Sequence, residues 1–471
     1  MKELVRNCKI AIVVLLVLSV ILGTGLVYQQ RQSQSTLLAV AGENRASLRD
    51  RYAQAGTIYS RDLEKLAYSE EGQRHYAEDP ILQQAVMHTV GDYTHHITNT
   101  IETLYQGDLL GNNRGIGEQL LLDVLGRGIQ GSDVYLTINS DLNRYMYEQL
   151  QNYHGAAVLL NYETGDILGM TSTPSTMTEN VIDYRDIPDT GLFNRAIQSQ
   201  YPPASTFKIL TAAAWIQSPQ FDPEFSLECT GHPIRPNGAR DDGHGHVDLN
   251  KAFAQSCNVF FGELAVKMGH DYFTDYLEGT GIANLRALDK LRVSNSRLRG
   301  TGAETDVALL SWMGTGQPVG SLELTMSPLH LVNITAAIAN GGSYKEPHIV
   351  DKVVNPMGNN LLDETTAQSV RMFSPQVAIR MQNLMRFGVE DESSVQYNAR
   401  ISGVPVAGKS GTLEIGIEEI VSKNGLWTGY IADEEYPYAI AVVTEDVRAA
   451  NSTAVLIAKN VLERAIASGV Q

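Results

Sequence analysis

Two groups of strand-forming segments stand far apart in the chain and constrain its fold. The first is a predicted β-hairpin, in which GAAVLLN (155–161) and DILGMTS (166–172) flank a turn. The second comprises three segments, PVAGKSGTLEIG (405–416), GLWTGYIAD (425–433) and YAIAVVTE (438–445). Between them the patterns are mainly helical, as in TFKILTAAAWIQ and PLHLVNITAAIANGG. This order predicts one sheet assembled from distant segments, with helices packed on it, in an α+β domain.

Neighbouring segments extend the prediction. Residues 133–138 are typical of a strand, residues 140–150 of a helix and residues 452–469 of an amphipathic C-terminal helix. Asn424-Gly425 predicts a turn before the middle segment of the second group, and residues 433–435 predict a turn after it.

Composition and net charge exclude some classes of partner and of fold. The chain has 471 residues, enough for two or three domains, and carries 36 basic and 53 acidic residues for a net charge of −17. A surface this acidic repels a phosphate backbone, so nucleic acid is not an expected partner. The three cysteines are Cys8, Cys229 and Cys257, which rules out a fold held by a disulfide framework.

An uncharged apolar run at residues 10–30 predicts a membrane anchor. The run is long enough to cross a bilayer as a helix. Lys2, Arg6 and Lys9 precede it, so the positive-inside rule places residues 1–9 in the cytoplasm and the rest of the chain outside the cell membrane. A cleaved signal peptide is the alternative, with residues 39–41 as its cleavage site. However, the run is longer than a signal core, and that site lies too far beyond it. Cys8 is then cytoplasmic, which leaves Cys229 and Cys257 as the single possible disulfide.

The segment YPPASTFKIL (201–210) carries the first candidate site. Pro202 and Pro203 precede a helical pattern, which predicts a helix start near Ser205. Residues three apart share a helix face, so the Lys208 Nζ can reach the Ser205 Oγ. A lysine in a dry pocket can lose its proton and act as the base for a serine nucleophile. Taken alone, a helix-capping serine beside a solvated lysine is the simpler interpretation.

Two further motifs follow in order. Ser256-Cys257-Asn258 offers a hydroxyl that can relay a proton and an amide that can hold a substrate carbonyl. Lys409-Ser410-Gly411-Thr412, on a predicted strand, offers a positive charge, hydroxyls for a carboxylate, and a glycine that admits a close backbone. Each motif is weak evidence alone. Ser-x-Asn recurs at residues 422–424, and the motif that begins with Lys409 is equally typical of a surface lysine before a bend.

Together, and in this order, the three motifs resemble the signature of the penicillin-binding proteins. YPPASTFK is similar to the family's Tyr-x-Pro-Gly-Ser-Thr-x-Lys, with Ala204 in place of glycine. HGHVDLNKAFAQSCNVFF resembles the segment that leads into Ser-x-Asn, and VAGKSGTLE resembles Val-Ala-Gly-Lys-Thr-Gly-Thr. The resemblance covers about residues 131–471 and implies a β-lactamase/transpeptidase-like domain with an antiparallel five-stranded sheet flanked by helices.

The segment AGTIYSRD (55–62) resembles a motif of the class B members, Arg-Gly-x-Ile-x-Asp-Arg-Asn-Gly, with departures at Ala55, Ser60 and Leu63. Residues before 131 leave no room for a glycosyltransferase domain. The resemblance is therefore to compact class B enzymes of the penicillin-binding protein A type. It implies four parts: a cytoplasmic tail (1–9), one transmembrane helix (10–30), a small membrane-proximal pedestal domain (31–130) and a transpeptidase domain (131–471).

The resemblance implies a serine D,D-transpeptidase that crosslinks peptidoglycan stem peptides and releases D-Ala. β-Lactams would be covalent inhibitors, and a membrane glycan polymerase would be a partner. Backbone N–H groups of Ser205 and Thr412 would form the oxyanion hole. The residues implied for catalysis are Ser205, Lys208, Ser256, Asn258 and Lys409, and those implied for substrate binding are Ser410, Gly411 and Thr412.

Rival functions share parts of this pattern. A D,D-carboxypeptidase has the same chemistry and uses water rather than an amine as acceptor. A β-lactamase needs a group that activates water for deacylation, and the anchor and pedestal argue against it. A noncatalytic β-lactam-binding divisome scaffold keeps the fold, but the intact motifs argue against it. A β-lactam sensor needs a cytoplasmic signalling domain, for which residues 1–9 are too short.

A zinc site is also suggested by the segment DDGHGH (241–246), with Cys229, His232 and Cys257 elsewhere in the chain. Histidine and cysteine are good zinc ligands, but these spacings match no regular structural zinc site. From the sequence we therefore expect neither a metal nor a cofactor.

Overall fold

The computed structural model describes residues 6, 9–10, 12–25, 45–124, 130–183, 185, 187–188, 190–231, 243–362, 367–415, 422–447 and 450–470. Residues 12–25 are helical and fall inside the predicted anchor, of which residues 26–30 lie outside the described ranges. Within the described part of the chain, no helix combines the length and the apolar character that crossing a membrane requires.

The strands are β1 (Ile58–Tyr59), β2 (Lys65–Glu70), β3 (Gln73–Tyr76), β4 (Asp133–Leu136), β5 (His154–Asn161), β6 (Ile167–Thr173), β7 (Ser226–Cys229), β8 (Gly245–Asp248), β9 (Ala287–Leu288), β10 (Leu291–Arg292), β11 (Arg297–Arg299), β12 (Glu323–Thr325), β13 (Ser343–Lys345), β14 (Val350–Val354), β15 (Ser369–Arg371), β16 (Val406–Ile415), β17 (Ser422–Ile431) and β18 (Tyr438–Glu445).

The helices are α1 (Arg45–Tyr52), α2 (Pro80–Val90), α3 (Ile101–Leu104), α4 (Gln106–Leu109), α5 (Ile116–Val124), α6 (Ser140–Leu150), α7 (Thr178–Ile182), α8 (Lys208–Gln217), α9 (Leu249–Ala254), α10 (Asn258–Met268), α11 (His270–Gly279), α12 (Val307–Thr315), α13 (Pro328–Ala339), α14 (Pro375–Glu390) and α15 (Ala450–Ser468), with 3₁₀ turns at Ala204–Phe207, Ile282–Asn284 and Val395–Ala399.

The central sheet joins the two distant groups of strands, as the sequence predicts. Its five antiparallel strands run in the order β16-β17-β18-β5-β6, so the last strand of the chain pairs with the first strand of the early hairpin. β16, which carries the Lys409-Ser410-Gly411 motif, lies at an edge. An edge strand leaves one row of backbone N–H and C=O groups free to pair with another chain.

Alternate residues of the strands enter two separate cores. Val158 pairs with Ala441 on the face packed against α13, whereas the adjacent pair Ala157 and Val442 faces α15. Because successive side chains of a strand point to opposite faces, each strand contributes to both cores. α13 is buried along most of its length and carries the polar residues His330, Asn333 and Thr335 among apolar ones.

The turn predicted at Asn424-Gly425 is wrong. Both residues lie inside β17, where Asn424 pairs with Leu413 and Gly425 pairs with Thr412. The Asn424 side-chain oxygen accepts a hydrogen bond from the backbone N–H of Asp446, a tertiary contact that a dipeptide signal does not contain. The connection from β16 to β17 falls at residues 416–421, outside the described ranges.

A second five-stranded sheet, in the order β14-β4-β1-β2-β3, combines early and late segments of the chain. β1 pairs in parallel with β4, and β4 pairs in antiparallel with β14. Arg61, just after β1, reaches the central sheet, because its Nη1 lies 2.8 Å from the Asp166 Oδ2 and His348 lies 2.8 Å from the same carboxylate. The residues before 131 are thus tied to the rest of the protein through both backbone and charge; the division into four parts stays a prediction.

A buried ion pair organises the early segment. The Arg74 Nε donates to the Glu102 Oε1 over 2.8 Å, and the Arg74 Nη1 donates to the Gly56 carbonyl over 2.8 Å. Both side chains are almost fully shielded from solvent. Charge buried this deeply needs its partner, because the unpaired ion would keep the full desolvation penalty.

We therefore expect Arg74→Leu to lower the free energy of unfolding by about 3 kcal/mol, as for other broken buried pairs. Urea unfolding followed by circular dichroism measures this change. The matched control is Arg386→Leu, which breaks an ion pair with Glu390 that is more than half exposed, 54% for each side chain. Equal losses in the two variants would contradict a structural role for the Arg74 pair.

Candidate active site

The turn that carries Ser205 is held on three sides. Tyr201, just before it, exchanges two backbone hydrogen bonds with Met326 over 2.9 and 2.8 Å. A Cβ at Gly316 would lie 2.2 Å from the Ala204 carbonyl oxygen, and one at Gly411 would lie 3.1 Å from the Pro203 oxygen. Only glycine allows the backbone to approach this closely. The serine is thus placed by packing from β16 and from the end of α12.

The helix predicted to begin near Ser205 does so with a tighter first turn. Ala204–Phe207 form a 3₁₀ turn, and α8 starts at Lys208. Ala204 has φ +47°, in the left-handed region that disfavours residues with a Cβ. The glycine that the resemblance leads one to expect at this position would relieve that strain. Ser205 itself is partly exposed at the helix start.

Lys208 is the centre of the site. Its side chain is fully buried, and its Nζ lies 3.1 Å from the Ser205 Oγ. The same nitrogen lies 2.6 Å from the Ser256 carbonyl oxygen, 2.7 Å from the Asn258 Oδ1 and 3.1 Å from the Ser256 Oγ. The structure therefore brings together the first two predicted motifs around one amine.

The hydrogen-bond partners of Lys208 suit a neutral amine. The two nearest neighbours, the Ser256 carbonyl and the Asn258 Oδ1, can only accept. A neutral amine has two N–H groups for them and one lone pair, which is then free to accept the Ser205 hydroxyl proton. Burial lowers the pKa of Lys208 to about 7, partly opposed by the nearby Cys257 thiol. Such a lysine can act as a base near neutral pH.

Lys409 completes the group of polar side chains. It is fully buried, and its Nζ donates to the Ser256 Oγ over 3.2 Å and to the Ser410 carbonyl over 3.0 Å. Burial, followed by repulsion from Lys208, holds the pKa of Lys409 well below its usual range. Because both amines contact the Ser256 hydroxyl, that hydroxyl bridges them and can carry a proton between them.

The residues predicted to bind substrate lie along β16. Gly411 packs directly against the Ser205 turn, since a Cβ there would meet the Pro203 oxygen and Thr206 at 3.1 Å. Ser410 is nearly buried and Thr412 is partly exposed, one and three residues after Lys409 on the same edge strand. Their carboxylate-binding role stays a prediction.

Two aromatic rings beneath the lysines carry no signal in the sequence. The Lys208 Nζ lies 5.6 Å from the centre of the Phe261 ring, and the Lys409 Nζ lies 5.6 Å from that of Phe253. Both phenylalanines come from helices around the Ser-x-Asn motif and are fully buried. The rings exclude water and place their negative faces under each amine, which partly offsets its desolvation.

Three potential metal ligands also converge beside the motif. The Cys229 Sγ lies 3.4 Å from the Cys257 Sγ and 3.4 Å from the His244 Nδ1. Both cysteines are free thiols and buried. Of the other residues of the zinc alternative, His246 is exposed on β8 and is not in this cluster, and His232, Asp241 and Asp242 lie outside the described ranges.

The fold and the serine–lysine pair define an acyltransferase that works through a serine ester, and comparison with known proteins gives its family. Residues 155–463 match the penicillin-binding protein transpeptidase domain. The chain is 30% identical to peptidoglycan D,D-transpeptidase PbpA of Mycolicibacterium smegmatis, over 95% of this chain and 94% of the relative. It is also 26% identical to penicillin-binding protein A from M. tuberculosis, solved as a ceftriaxone acyl-enzyme, with TM-score 0.77, covering 89% of this chain and 100% of that one.

A more distant relative is peptidoglycan D,D-transpeptidase MrdA of Acinetobacter baumannii, 26% identical over 69% of this chain and 53% of the relative. The chain therefore belongs to the penicillin-binding proteins and, within them, to class B. The resemblance identified from the sequence motifs is confirmed.

Gly411→Ala should slow acylation without unfolding the protein. A methyl at residue 411 would press on the Ser205 turn at 3.1 Å, so the turn must shift by a few tenths of an ångström. Misplaced nucleophiles lose rate steeply, and we expect a fall of about tenfold in the acylation rate by a fluorescent penicillin. Gly279→Ala, where a Cβ meets nothing within 4 Å, is the control and should leave the rate unchanged.

Acylation should also depend on pH through Lys208. Its pKa of about 7 means that the amine is protonated, and so inactive as a base, below that value and free above it. The second-order rate constant for acylation should therefore rise about tenfold per pH unit below the apparent pKa and level off above it. Stopped-flow measurements of acylation between about pH 5 and about pH 9 cover both sides of this pKa. A flat profile would show that Lys208 does not gain a proton in the rate-limiting step.

Proposed function

We propose that this protein is a membrane-anchored peptidoglycan D,D-transpeptidase in which Ser205 forms the acyl-enzyme and Lys208 is its base. The observation that carries the proposal is the buried Lys208 amine, which lies between the Ser205 hydroxyl and two groups that only accept hydrogen bonds. The D,D-transpeptidase relatives and the β-lactam acyl-enzyme of the M. tuberculosis protein support the same chemistry.

The proton follows the hydrogen bonds. Lys208 takes the Ser205 proton as the Oγ attacks the carbonyl of the penultimate D-Ala, forming a C–O bond. The Ser256 hydroxyl, 3.1 Å from Lys208 and 3.2 Å from Lys409, then delivers a proton to the leaving amine as the C–N bond breaks and D-Ala departs. An amine of a neighbouring stem peptide attacks the ester in the second half, loses a proton by the reverse path and releases Ser205.

Substrate placement uses the edge of the central sheet. A stem peptide in extended conformation can pair with the free backbone groups of β16, as an added strand. The Asn258 oxygen is held by Lys208, which leaves its NH₂ group to donate to a substrate carbonyl. The Ser410 and Thr412 hydroxyls, on the strand that carries Lys409, are the proposed donors to the terminal carboxylate. Backbone N–H groups of Ser205 and Thr412 form the oxyanion hole in this proposal.

The early part of the chain is proposed to hold the enzyme at the outer face of the cell membrane. Apolar side chains of the first helical residues are exposed, with Leu15 and Leu22 each at 65%. Such a surface is expected to enter lipid rather than water. We propose residues 10–30 as the single transmembrane helix and residues 31–130 as the pedestal, with the catalytic domain outside the cell. A membrane glycan polymerase is the proposed partner, because crosslinking requires newly made glycan strands.

The nucleophile is tested with labelled penicillin. Ser205→Ala should lose covalent labelling entirely, because Ser205 is the proposed nucleophile and the Ser256 hydroxyl, which also lies 3.1 Å from the Lys208 Nζ, is assigned to proton transfer between the two lysines. Ser402→Ala, at an exposed serine, is the matched control and should label as the wild type does. Label that persists on Ser205→Ala, located elsewhere by peptide mass spectrometry, would refute the assignment.

The identity of the acyl acceptor, a stem-peptide amine or water, is tested by analysing the reaction products. Purified full-length protein is incubated with lipid-linked pentapeptide glycan strands, and the digested products are analysed by mass spectrometry. We expect crosslinked dimers and free D-Ala. Tetrapeptides without dimers would indicate a D,D-carboxypeptidase, and no product despite penicillin labelling would indicate a noncatalytic scaffold.

A further inference from the structure

We propose that Cys229, His244 and Cys257 form a zinc site that anchors the Ser256-Cys257-Asn258 motif. The three ligand atoms, two thiol sulfurs and one imidazole nitrogen, all lie within 4.8 Å of one another. Cys229 ends β7, His244 directly precedes β8 and Cys257 directly precedes α10, so the fold rather than the local sequence brings them together.

Two of the three separations are close to those of a tetrahedral zinc centre, and the third is within 4.8 Å. Zinc binds thiolate sulfur at about 2.3 Å and imidazole nitrogen at about 2.0 Å, which puts neighbouring ligand atoms about 3.5–3.8 Å apart. In the structure the Cys229 Sγ lies 3.4 Å from both the Cys257 Sγ and the His244 Nδ1. Soft thiolates with an imidazole select zinc over magnesium or calcium, which prefer oxygen. Three protein ligands leave a fourth position for water.

Surrounding contacts already fix the ligands. Cys229 ends β7 and pairs with Gly245, the first residue of β8, so His244, directly before β8, is held beside Cys229. The Lys251 Nζ donates to the carbonyl oxygens of His244 and His246 over 3.3 and 2.9 Å. The Cys257 Sγ accepts a hydrogen bond from the Phe260 N–H over 3.4 Å, the kind of outer contact that orients a metal-bound sulfur.

The position of the proposed zinc ion indicates that it would stabilise the turn that holds Lys208. Cys257 stands between Ser256 and Asn258, whose oxygens hold Lys208. Ser256 has φ +56°, a left-handed conformation that only surrounding structure can maintain. A zinc ion bridging Cys257 to the β7–β8 hairpin would keep this turn in place. Two thiolates balance the charge of the ion, so the centre adds no net positive charge beside Lys208.

Zinc binding by the cluster does not depend on the enzyme's activity, whereas its effect on acylation rests on the proposed function. The three ligands are positioning residues in this inference and touch no substrate atom. Loss of zinc should therefore displace the Ser-x-Asn motif and slow acylation without removing Ser205 or Lys208.

The first test measures metal content. Full-length protein, expressed with zinc in the medium and purified in detergent without chelators, should hold about one zinc per chain by plasma mass spectrometry, as expected for a single Cys₂His site. Cys229→Ser should lose the zinc, and Cys8→Ser, which removes the third cysteine, should keep it. Zinc-free wild type after reconstitution, zinc retained by Cys229→Ser, or an intact mass two hydrogens lower from a Cys229–Cys257 disulfide would each overturn the proposal.

The second test uses wild-type protein, so it remains informative if the Cys229→Ser variant does not fold. Wild-type protein exchanged with Co²⁺ should show a thiolate-to-cobalt charge-transfer band, which the unexchanged protein lacks. Chelation should lower the melting temperature and slow penicillin acylation, and added zinc should restore both. No band and no change on chelation would overturn the site. Zinc bound without any labelling of Ser205 would instead refute the proposed function and leave the metal site standing.

Discussion

Two lysine amines buried without carboxylate partners are the constraint on which the rest of the site depends. Lys208 and Lys409 are both fully shielded from solvent, and their hydrogen-bond partners are hydroxyl, amide and carbonyl oxygens. A buried charge is expensive unless paired, so such amines are driven towards their neutral forms. The environment that would be a defect in a structural protein is the one that creates a base near neutral pH. In the proposed mechanism, the burial of these lysines is what supplies the base.

Three separate elements must meet for that environment to exist. The helix start at α8 supplies Ser205 and Lys208. The turn before α10 supplies Ser256, the first residue of α10 is Asn258, and the edge strand β16 supplies Lys409. Glycines at the contacts permit the approach, since Gly316 and Gly411 both press on the turn that holds Ser205. The register of the central sheet sets the depth of Lys409, because Lys409 pairs with Thr428 and Thr428 is tied to Leu331 of α13 by a 3.1 Å hydrogen bond.

The sequence predicts this arrangement well where the signal is local or belongs to an ordered set of motifs. Strand-forming segments separated by turn signals give the strands of the central sheet, and the first two motifs give the residues that hydrogen-bond to Lys208. It fails where a tertiary contact decides. Asn424-Gly425 has the composition of a turn but lies in a strand, paired with β16. The sharing of one sheet by β1, β4 and β14 has no local signal, because pairing between segments so distant depends on the whole fold. Phe253 and Phe261 look like any other core residue until the lysines are placed above them.

The proposed zinc site is another feature that the sequence pattern does not predict, because tertiary contacts bring its ligands together. Spacing along the chain argues against zinc, because regular structural sites draw their ligands in pairs from short loops. The hairpin β7–β8 makes that test inapplicable, because it folds His244 back beside Cys229, while the start of α10 brings Cys257 to the same point. The Ser-x-Asn motif specifies its two outer residues and leaves the middle one free for a structural task.

Ser256 and Ala204 are both held in left-handed conformations, one on each side of Lys208. Such strained positions persist only if neighbours fix them, and Gly316 and Gly411 do so for Ala204. On the Ser256 side the corresponding support is the cysteine–histidine cluster, which is why the middle residue of this motif matters to the geometry of the base.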